Sequence, residues 1–587
     1  MSHYAAPEKE LLFVMREVAD IGALMALADY SALSDDLIDA IVEEAGRFFA
    51  GVIAPTNPLA DRQGAKLVER GVATAPALDG VYKAYCAGGW PALTGQPAFG
   101  GQGLPHTLGF AVDEILQSAN LAFSLLPMLT QGVITALTRY GSDLQKALYL
   151  PRLVSGEWAG TMNLTEPEAG SDLAQVKTRA EPEGDHYRLF GQKIFITWGD
   201  HGFTDNIVHL VLARTPGAPE GVKGISLFIV PKFLVNEDGS LAERNRVYPV
   251  GVEHKLGIHA SPTCTLQYGD GEGALGYLVG QENEGLRYMF AMMNHARLAV
   301  GLQGVSLSER ACQQAYAYAC ERRQGSLPGR GVVAIIEHPD VRRMYLTMEA
   351  LTQAGRALTL VAMHHFDMAG HSDDEGARER HQQRVDLLTP LVKGWCTELV
   401  NEVTSLAVQI HGGAGYIEET GVAQYYRDAR ITAIYEGTNG IQAMDLAGRK
   451  ILSNQGRYFR DLESELHAIV DDVRGAGLAF IAGGLDLALA DCRAAVDALL
   501  ANAPQQPDYA GAVAHPVMMA LGITVAGCYL AKGAVRATAL GEAAPDDRFY
   551  RRKIDVARVF AEQVLPRTSA YRSAAVAGGE SFRVDWL

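Results

Sequence analysis

Apolar residues follow two rhythms along this chain. Over roughly the first 158 residues they recur every three to four positions, the spacing of one helix face. LLFVMREVADIGALMAL and SDDLIDAIVEEAGRFFAGVIAP are predicted amphipathic helices, with Ser34 as an N-cap and Pro55 as a stop. GGWPALTGQPAFGGQGLP is a Gly/Pro-rich connection. Helices over 107–118 and 131–140 and the segment SDLQKALYLPRLVSG follow. From about 160 to 278 the pattern becomes short apolar runs between Gly, Pro and Asp: HYRLFGQKIFITWG, NIVHLVLAR, GISLFIVPKF and TCTLQYGD. That spacing predicts a small β-domain, barrel or sandwich.

Helical periodicity returns at about 283. Residues 285–324 contain no proline, and small residues recur there (Ala291, Ala296, Ala299, Gly301, Gly304), which permits close helix packing. Two long helical stretches follow, 339–368 and 380–410, with Pro390 read as the first turn of the second or a kink in it. Short links between helices of this length predict a four-helix bundle. After about 453 comes another helical block. Its apolar stretch 517–531, interrupted by Gly522 and Gly527, reads as a buried helix, and no run of about 18 apolar residues suggests a membrane span. The expected fold is therefore α+β and multidomain: an N-terminal helical domain with an extension (1–159), a central β-domain (160–281), a four-helix bundle (282–452) and an additional C-terminal helical domain (453–587).

Composition narrows the function classes. The 587 residues are 48% hydrophobic and 20% charged, ordinary for a globular chain. A net charge of −17 argues against nucleic acid or an anionic membrane as the main partner, since both attract clustered Lys and Arg. Seven scattered cysteines without CxxC or zinc spacing suit reduced thiols in a cytosol, and no metal site is expected. The N-terminus carries Glu and Lys where a signal peptide needs an apolar core. GxxxxGK[ST], GxSxG and HExxH do not occur, and the one GxGxxG match, GEGALG at 271–276, opens no helix.

Four stretches could carry chemistry. In ITAIYEGTNGIQAMDLAGRK, Glu436 lies between an apolar run and a Gly-Thr-Asn-Gly turn. A carboxylate facing a dry pocket would be raised in pKa and made a better base; a solvated glutamate at a loop edge is equally open from these residues alone. NLTEPEAGSDLAQVKT offers hydroxyls and backbone donors of the kind that hold phosphates or amides. In GQKIFITWGD, strand alternation puts Phe195 and Thr197 on one face, where an aromatic and a hydroxyl suit a flat heteroaromatic ring. The glycines of QIHGGAGY could let backbone approach a ligand. Taken singly, the last three are better explained by a hydrogen-bonded loop, a β-core and a helix terminator.

In order, these pieces are far more specific. A helical block, LTEPEAGSD, KIFIT, a β-domain, long helices, GGAGY, YRDARI and IYEGTN resemble the acyl-CoA dehydrogenase family over about residues 30–450. The extensions at both ends are similar to its larger bacterial branch, which includes methylthiopropanoyl-CoA and long-chain or broad-range enzymes. The resemblance implies a cytoplasmic FAD flavoprotein of fatty acid β-oxidation. Such an enzyme converts an acyl-CoA to the trans-2-enoyl-CoA and passes electrons to electron-transfer flavoprotein. It implies Glu436 as the base that takes the α-proton, with Gly437 letting backbone approach the thioester. Thr165 and Thr197 would bond the flavin edge, Phe195 would stack, Ser171 would serve pyrophosphate or pantetheine, and Thr438 would touch the cofactor. Arg322 and Gln409 match positions that reach FAD across a subunit interface, so a homo-oligomer, at least a dimer, is expected, and Gly413 matches a cofactor-binding position. Arg297 matches a substrate-side arginine. Some members place the base one residue before it; here that residue is Ala296, which cannot abstract a proton.

Departures from the family pattern are Trp198, expected to add bulk beside the flavin, Gln175, Gly325 where Phe is usual, and Asn294 where a substrate-contacting Asp is usual. Two rival readings share the scaffold. One is an acyl-CoA oxidase with dioxygen as acceptor. The other is a non-catalytic DNA-associated homologue, which the acidic chain disfavours.

Overall fold

The computed structural model describes residues 4–69, 71–584 and Trp586, with the side chains of Ala291 and Met292 outside the description. The chain divides into two compact units. One holds Met1–Arg47, Pro105–Ser118 and Arg297–Leu587; the other holds Phe48–Leu104 and Ala119–Ala296.

The second unit is built on an eight-stranded sheet. Its strand order is Val247–Val252, Thr263–Tyr268, His186–Thr197, Ala274–Leu278, Ser226–Pro231, Asn206–Ala213 and Trp158–Asn163, with Arg179–Glu183 also paired to His186–Thr197. Pairing is antiparallel except between Trp158–Asn163 and Asn206–Ala213. The continuous apolar runs SLFIVP and NIVHLVLA are buried throughout, as strands covered on both faces must be. Helices Leu121–Tyr140 and Asp143–Ser155 pack on the sheet; the second starts at a capping box in which Ser142 and Gln145 satisfy each other's backbone.

In the first unit, close backbone approach sets the bundle. Gly301 and Gly304 on helix Gly285–Glu321 face Val392 and Cys396 of helix Glu375–His411. A Cβ at Gly304 would stand 2.1 Å from the Cys396 carbonyl oxygen, and one at Gly301 2.4 Å from Val392 Cγ1. Only hydrogen fits at these two positions. Gly355 of helix Pro339–His371 similarly admits Val305 and Leu399. Helix Tyr509–Ala543 brings Gly522 against the ring of Trp395 and Gly527 against Phe560, so the glycines that interrupt its apolar run are seats for aromatic rings.

A buried ion network joins distant parts of this unit. Arg356, 1% exposed, donates to Glu114 at 2.5 Å and to Glu309 at 2.7 Å. Lys553 pairs with Glu10 and donates to Gln353 at 2.8 Å. Arg552 pairs with Glu349 at 2.5 Å. The chain's first helix and its C-terminal helical block are thus fastened to the bundle by charge as well as by packing.

Several local expectations change. The first predicted helix is broken at Asp20, whose left-handed backbone (φ +54°) starts a new helix and whose carboxylate caps Ala23 N–H. Pro55 is not a stop, since a helical turn carries the chain into Asn57–Gln63. Of the two places expected for Pro390, the first turn is excluded and a position inside the helix is observed, within Glu375–His411. Ser34 does cap its helix, accepting from Leu37 N–H. Two helices, Leu121–Tyr140 and Tyr509–Ala543, are long and apolar enough to cross a membrane, contrary to the count of apolar runs. Of their apolar windows, 72% and 89% are buried in the protein.

Gly304→Ala should therefore destabilise the protein by about 1–3 kcal/mol or more. Gly370→Ala, at a helical glycine with open space around it, should be neutral or stabilise by up to about 1 kcal/mol. Urea unfolding of the two variants checks the contrast; equal effects would contradict the close-contact account.

Candidate active site

The turn that carries Glu436 is tightly held within the first unit. Glu436 itself has φ +56° and Gly437 φ +82°. A non-glycine residue held there costs of order 1–3 kcal/mol and persists only where neighbours over-determine it. Here they do. Thr438 caps the next helix by accepting from Ile441 N–H at 3.3 Å. Asn439 Oδ1 accepts from Lys393 Nζ at 2.9 Å, while its Nδ2 donates to Glu398 at 2.7 Å and to the Gly394 carbonyl at 3.3 Å. Gln442 Nε2 donates to the Glu436 and Gly437 carbonyls at 3.3 and 3.4 Å. A Cβ on Gly437 would meet Gln442 at 2.8 Å and Arg297 at 4.0 Å, so Arg297 lies against this turn.

Burial pushes the Glu436 carboxyl above its usual range, against the opposing pull of Arg297 and Lys393. Arg297 and Lys393 are themselves buried. Burial pulls Lys393 down to about 7, partly offset by Glu436 and Glu398. A carboxylate raised in pKa yet flanked by two cations can accept a proton near neutral pH. A cavity of about 680 Å³ opens beside the turn, lined among others by Glu398, Tyr426, Arg430, Thr438 and His515. Glu436 does not line it.

In the second unit, the LTEPEAGSD loop and the KIFIT strand end are joined by Ile194 N–H donating to the Thr165 carbonyl at 2.9 Å. Opposite this strand, Cys264 pairs with Ile196 and Leu266 with Lys193, so a bulge lies at 194–195. Within it Phe195 takes φ +60°, an outlier for a bulky residue, and its ring is 58% exposed. Ile196 is buried while Thr197 is half-buried, and Thr165, half-buried too, is joined to this strand by the Ile194 hydrogen bond. An exposed aromatic held on strained backbone beside hydroxyls fits a flat ring ligand such as a flavin. Ser171 is exposed on the loop, and Gln175 folds back onto Asp172. Trp198, expected to stand beside the flavin, is instead 1% exposed; its indole N–H donates to the Ala122 carbonyl at 3.0 Å and its ring packs with His201 and Phe203.

Arg322, Gln409 and Gly413 are all exposed in the first unit. Tyr318 stacks on His411 at 4.3 Å, which brings the end of the Arg322 helix against the GG turn. Beyond Arg322 lies a hairpin, Arg323–Leu327 with Gly331–Ala334, that the sequence pattern did not suggest. Gly325 sits at its irregular register with φ +72°, which explains glycine where the family has Phe. GEGALG runs into strand Ala274–Leu278 of the sheet.

Two polar clusters escaped sequence reasoning. Glu166 accepts from Lys193 at 2.7 Å, from Lys177 N–H at 2.7 Å and from the Thr178 hydroxyl at 2.5 Å. Burial raises the Glu166 carboxyl, but Lys193 and these hydrogen bonds outweigh it and leave it low; burial takes Lys193 down to about 8. The pair staples the loop to the strand. Beneath it Thr161 contacts His209 at 2.6 Å, Asn163 donates to Thr161 at 2.8 Å, and Tyr268 donates to Asn163 at 2.9 Å. A lysine inside KIFIT and a glutamate in EPEAG are the only sequence signals, and neither announces burial.

The chain matches four family models in succession: "Acyl-CoA dehydrogenase, N-terminal domain" over 36–157, "Acyl-CoA dehydrogenase, middle domain" over 161–270, "Acyl-CoA dehydrogenase, C-terminal domain" over 283–451, and "Acetyl-CoA dehydrogenase C-terminal like" over 462–583. It is 47% identical to the 3-methylmercaptopropionyl-CoA dehydrogenase of Ruegeria pomeroyi, covering 98% of this chain and 99% of that one. It is 32% identical to the broad-specificity linear acyl-CoA dehydrogenase FadE5 of Mycobacterium tuberculosis, covering 97% of each. Its fold is similar to a Bacillus anthracis acyl-CoA dehydrogenase solved with FAD, with a TM-score of 0.72 and 22% identity over 93% of this chain and 88% of that one.

Lys193→Met should cost about 3–5 kcal/mol by stranding the Glu166 carboxylate. The double variant Glu166→Gln with Lys193→Met should recover most of that loss, because a missing pair is cheaper than a broken one. Denaturant unfolding of the single and double variants measures the coupling; additive losses would contradict the staple.

Proposed function

The chain belongs to the acyl-CoA dehydrogenase family, and from that membership we propose that Glu436 is the base of an α,β-dehydrogenation of an acyl-CoA thioester. One observation carries the reading: a carboxylate raised by burial, on a strained turn, is opposed by two buried cations. An α-proton beside a thioester is weakly acidic, so the base must be strong yet ionised before the substrate arrives. Glu436 takes that proton. The Glu436 backbone N–H donates to the thioester carbonyl oxygen and stabilises the charge that develops there. Gly437, without a side chain, leaves room for the substrate.

The cofactor is FAD, which when bound accepts the hydride from the β-carbon. Phe195 would stack on its ring, Thr165 and Thr197 would bond its edge, and Ser171 and Thr438 would hold its polar chain. Arg322 and Gln409, both exposed, would serve the FAD of a second subunit, so the enzyme works as an oligomer, at least a dimer, and Gly413 would line the cofactor. Arg297 holds the substrate side of the turn by charge. The four successive blocks 1–159, 160–281, 282–452 and 453–587 are the proposed domains, in line with the succession of family models.

The substrate is a short acyl-CoA, with 3-methylmercaptopropionyl-CoA the first choice, supported by the relative that shares 47% of residues over nearly the whole chain. Straight-chain acyl-CoAs are the second choice, in line with the relative named for broad linear specificity. Electrons pass to electron-transfer flavoprotein in the cytoplasm.

Anaerobic bleaching of the holoenzyme by acyl-CoAs of graded length, the thioether included, ranks the substrates; fastest reduction by long chains would reverse the order proposed. Glu436→Gln should retain FAD and acyl-CoA binding yet lose at least about 1,000-fold in bleaching rate, and near-normal bleaching would sink the base assignment. The ionised carboxylate is the active form and its pKa is raised, so the wild-type rate should fall as pH drops through that raised value. Rapid reoxidation by air in place of electron-transfer flavoprotein would make the enzyme an oxidase.

A further inference from the structure

Lys393 is one of the two cations that oppose Glu436, and the dehydrogenation scheme gives it no contact with substrate or cofactor. It lies on helix Glu375–His411 and is 0% exposed. Lysine is almost never buried so completely without a partner. The acceptor it has is Asn439 Oδ1, at 2.9 Å. Asn439 stands three residues after Glu436, and its other polar atom is spent on Glu398 and the Gly394 carbonyl of the same helix. The Asn439 side chain is thereby bound to that helix through both of its ends, and the turn before it has little freedom to move.

Charge points the same way. The groups that face Lys393 are Glu436 from the turn, Glu398 from its own helix and Arg297 from helix Gly285–Glu321. Glu436 in turn faces Arg297 and Lys393, and Arg297 also faces the Asp445 carboxylate, while the like-charged Arg449 opposes it. Arg297 therefore divides its charge between two carboxylates. Lys393 is divided between Glu436 and Glu398, and Glu398 is itself hydrogen-bonded by Asn439.

We propose that Lys393 is a positioning residue for the base: anchored on Asn439, it fixes the turn that carries Glu436 and supplies a counter-charge that keeps the carboxylate ready to accept a proton. The inference rests on the reading of Glu436 as the base. The Lys393 ammonium, held on Asn439 at 2.9 Å, favours the ionised form of Glu436 by its charge, so removing the ammonium must shift proton uptake by Glu436 to higher pH. Lys393 and Glu436 titrate as a coupled pair, and what an experiment reads is the limb of the pair.

The test is the pH profile of anaerobic FAD bleaching between about pH 5.5 and 9, a window spanning the ionisation of a raised carboxyl. In Lys393→Met, which keeps length and removes charge, the rising limb should move up by about one unit or more. The rate near pH 6 should then fall at least about tenfold while the alkaline plateau is partly kept. Lys393→Gln, neutral but still able to donate toward Asn439, should show the same shifted limb with a higher plateau. A readout independent of turnover accompanies these: the flavin spectral change on binding a non-reactive thioether analogue of the substrate should show the same shifted midpoint, with FAD content and thermal midpoint recorded for each variant. A limb that stays at its wild-type position in either neutral variant that folds, with only a uniform loss of rate, overturns the inference and leaves the base assignment intact. Bleaching that survives Glu436→Gln removes the base assignment and this inference with it.

Discussion

The chemistry of the first unit depends on how closely two helices approach. At Gly301 and Gly304 the backbone of helix Gly285–Glu321 touches helix Glu375–His411, and a single added methyl would collide with the Cys396 carbonyl. Arg297 stands one turn before Gly301, and Lys393 directly follows Val392 at the same crossing. Close packing therefore brings two cations into the bundle interior beside the Glu436 turn. If the crossing were wider, each would reach water along its own flexible stem. Packing and electrostatics are one design here, because two glycines decide where two charges must sit.

Two of the seven described non-glycine residues with left-handed backbone lie where ligand chemistry is expected. Phe195 in one unit and Glu436 in the other both hold left-handed backbone without being glycine. Each is enforced by neighbours rather than by its own preference. The bulge against Cys264–Leu266 and the Glu166–Lys193 staple fix the first; the Thr438 cap and the Asn439 clamp fix the second. In both places the helpers are polar and buried, so they contribute little to net stability but much to geometry.

Periodicity made the long elements legible in the sequence. The strands of HYRLFGQKIFIT, NIVHLVLA and SLFIVP and the helices after 285 lie where alternation and 3.6-residue spacing put them. Proline and glycine were the weaker guides. Pro55 and Pro390 sit within helical paths, because tertiary packing outweighs the loss of one hydrogen bond. Gly522 and Gly527 interrupt the apolar run but not the buried helix read there, and they are seats for aromatic rings. The motifs located Glu436 and Phe195 by order alone. What they could not convey is burial: Lys193, Lys393 and Glu166 read as ordinary surface charges until the fold encloses them, and Trp198 reads as a cofactor neighbour until its indole turns into the core.

A base for this reaction faces conflicting demands. It must bind the proton firmly, which needs a raised pKa, and yet be unprotonated before the substrate arrives, which needs a limited one. Burial alone would raise a carboxyl by several units and leave it neutral and idle at neutral pH. Cations alone, in a wetter site, would lower it toward an ordinary surface glutamate and weaken it as a base. At Glu436 burial is the larger influence, and Arg297 and Lys393 trim it. Each unit of pKa is worth about 1.4 kcal/mol, so shifting either cation by a small distance would change the ionised fraction severalfold. That sensitivity explains why the turn is pinned by Asn439 and Gln442 at backbone and side chain alike. A carboxylate whose strength is set by burial against two nearby cations can be used only if its surroundings do not move.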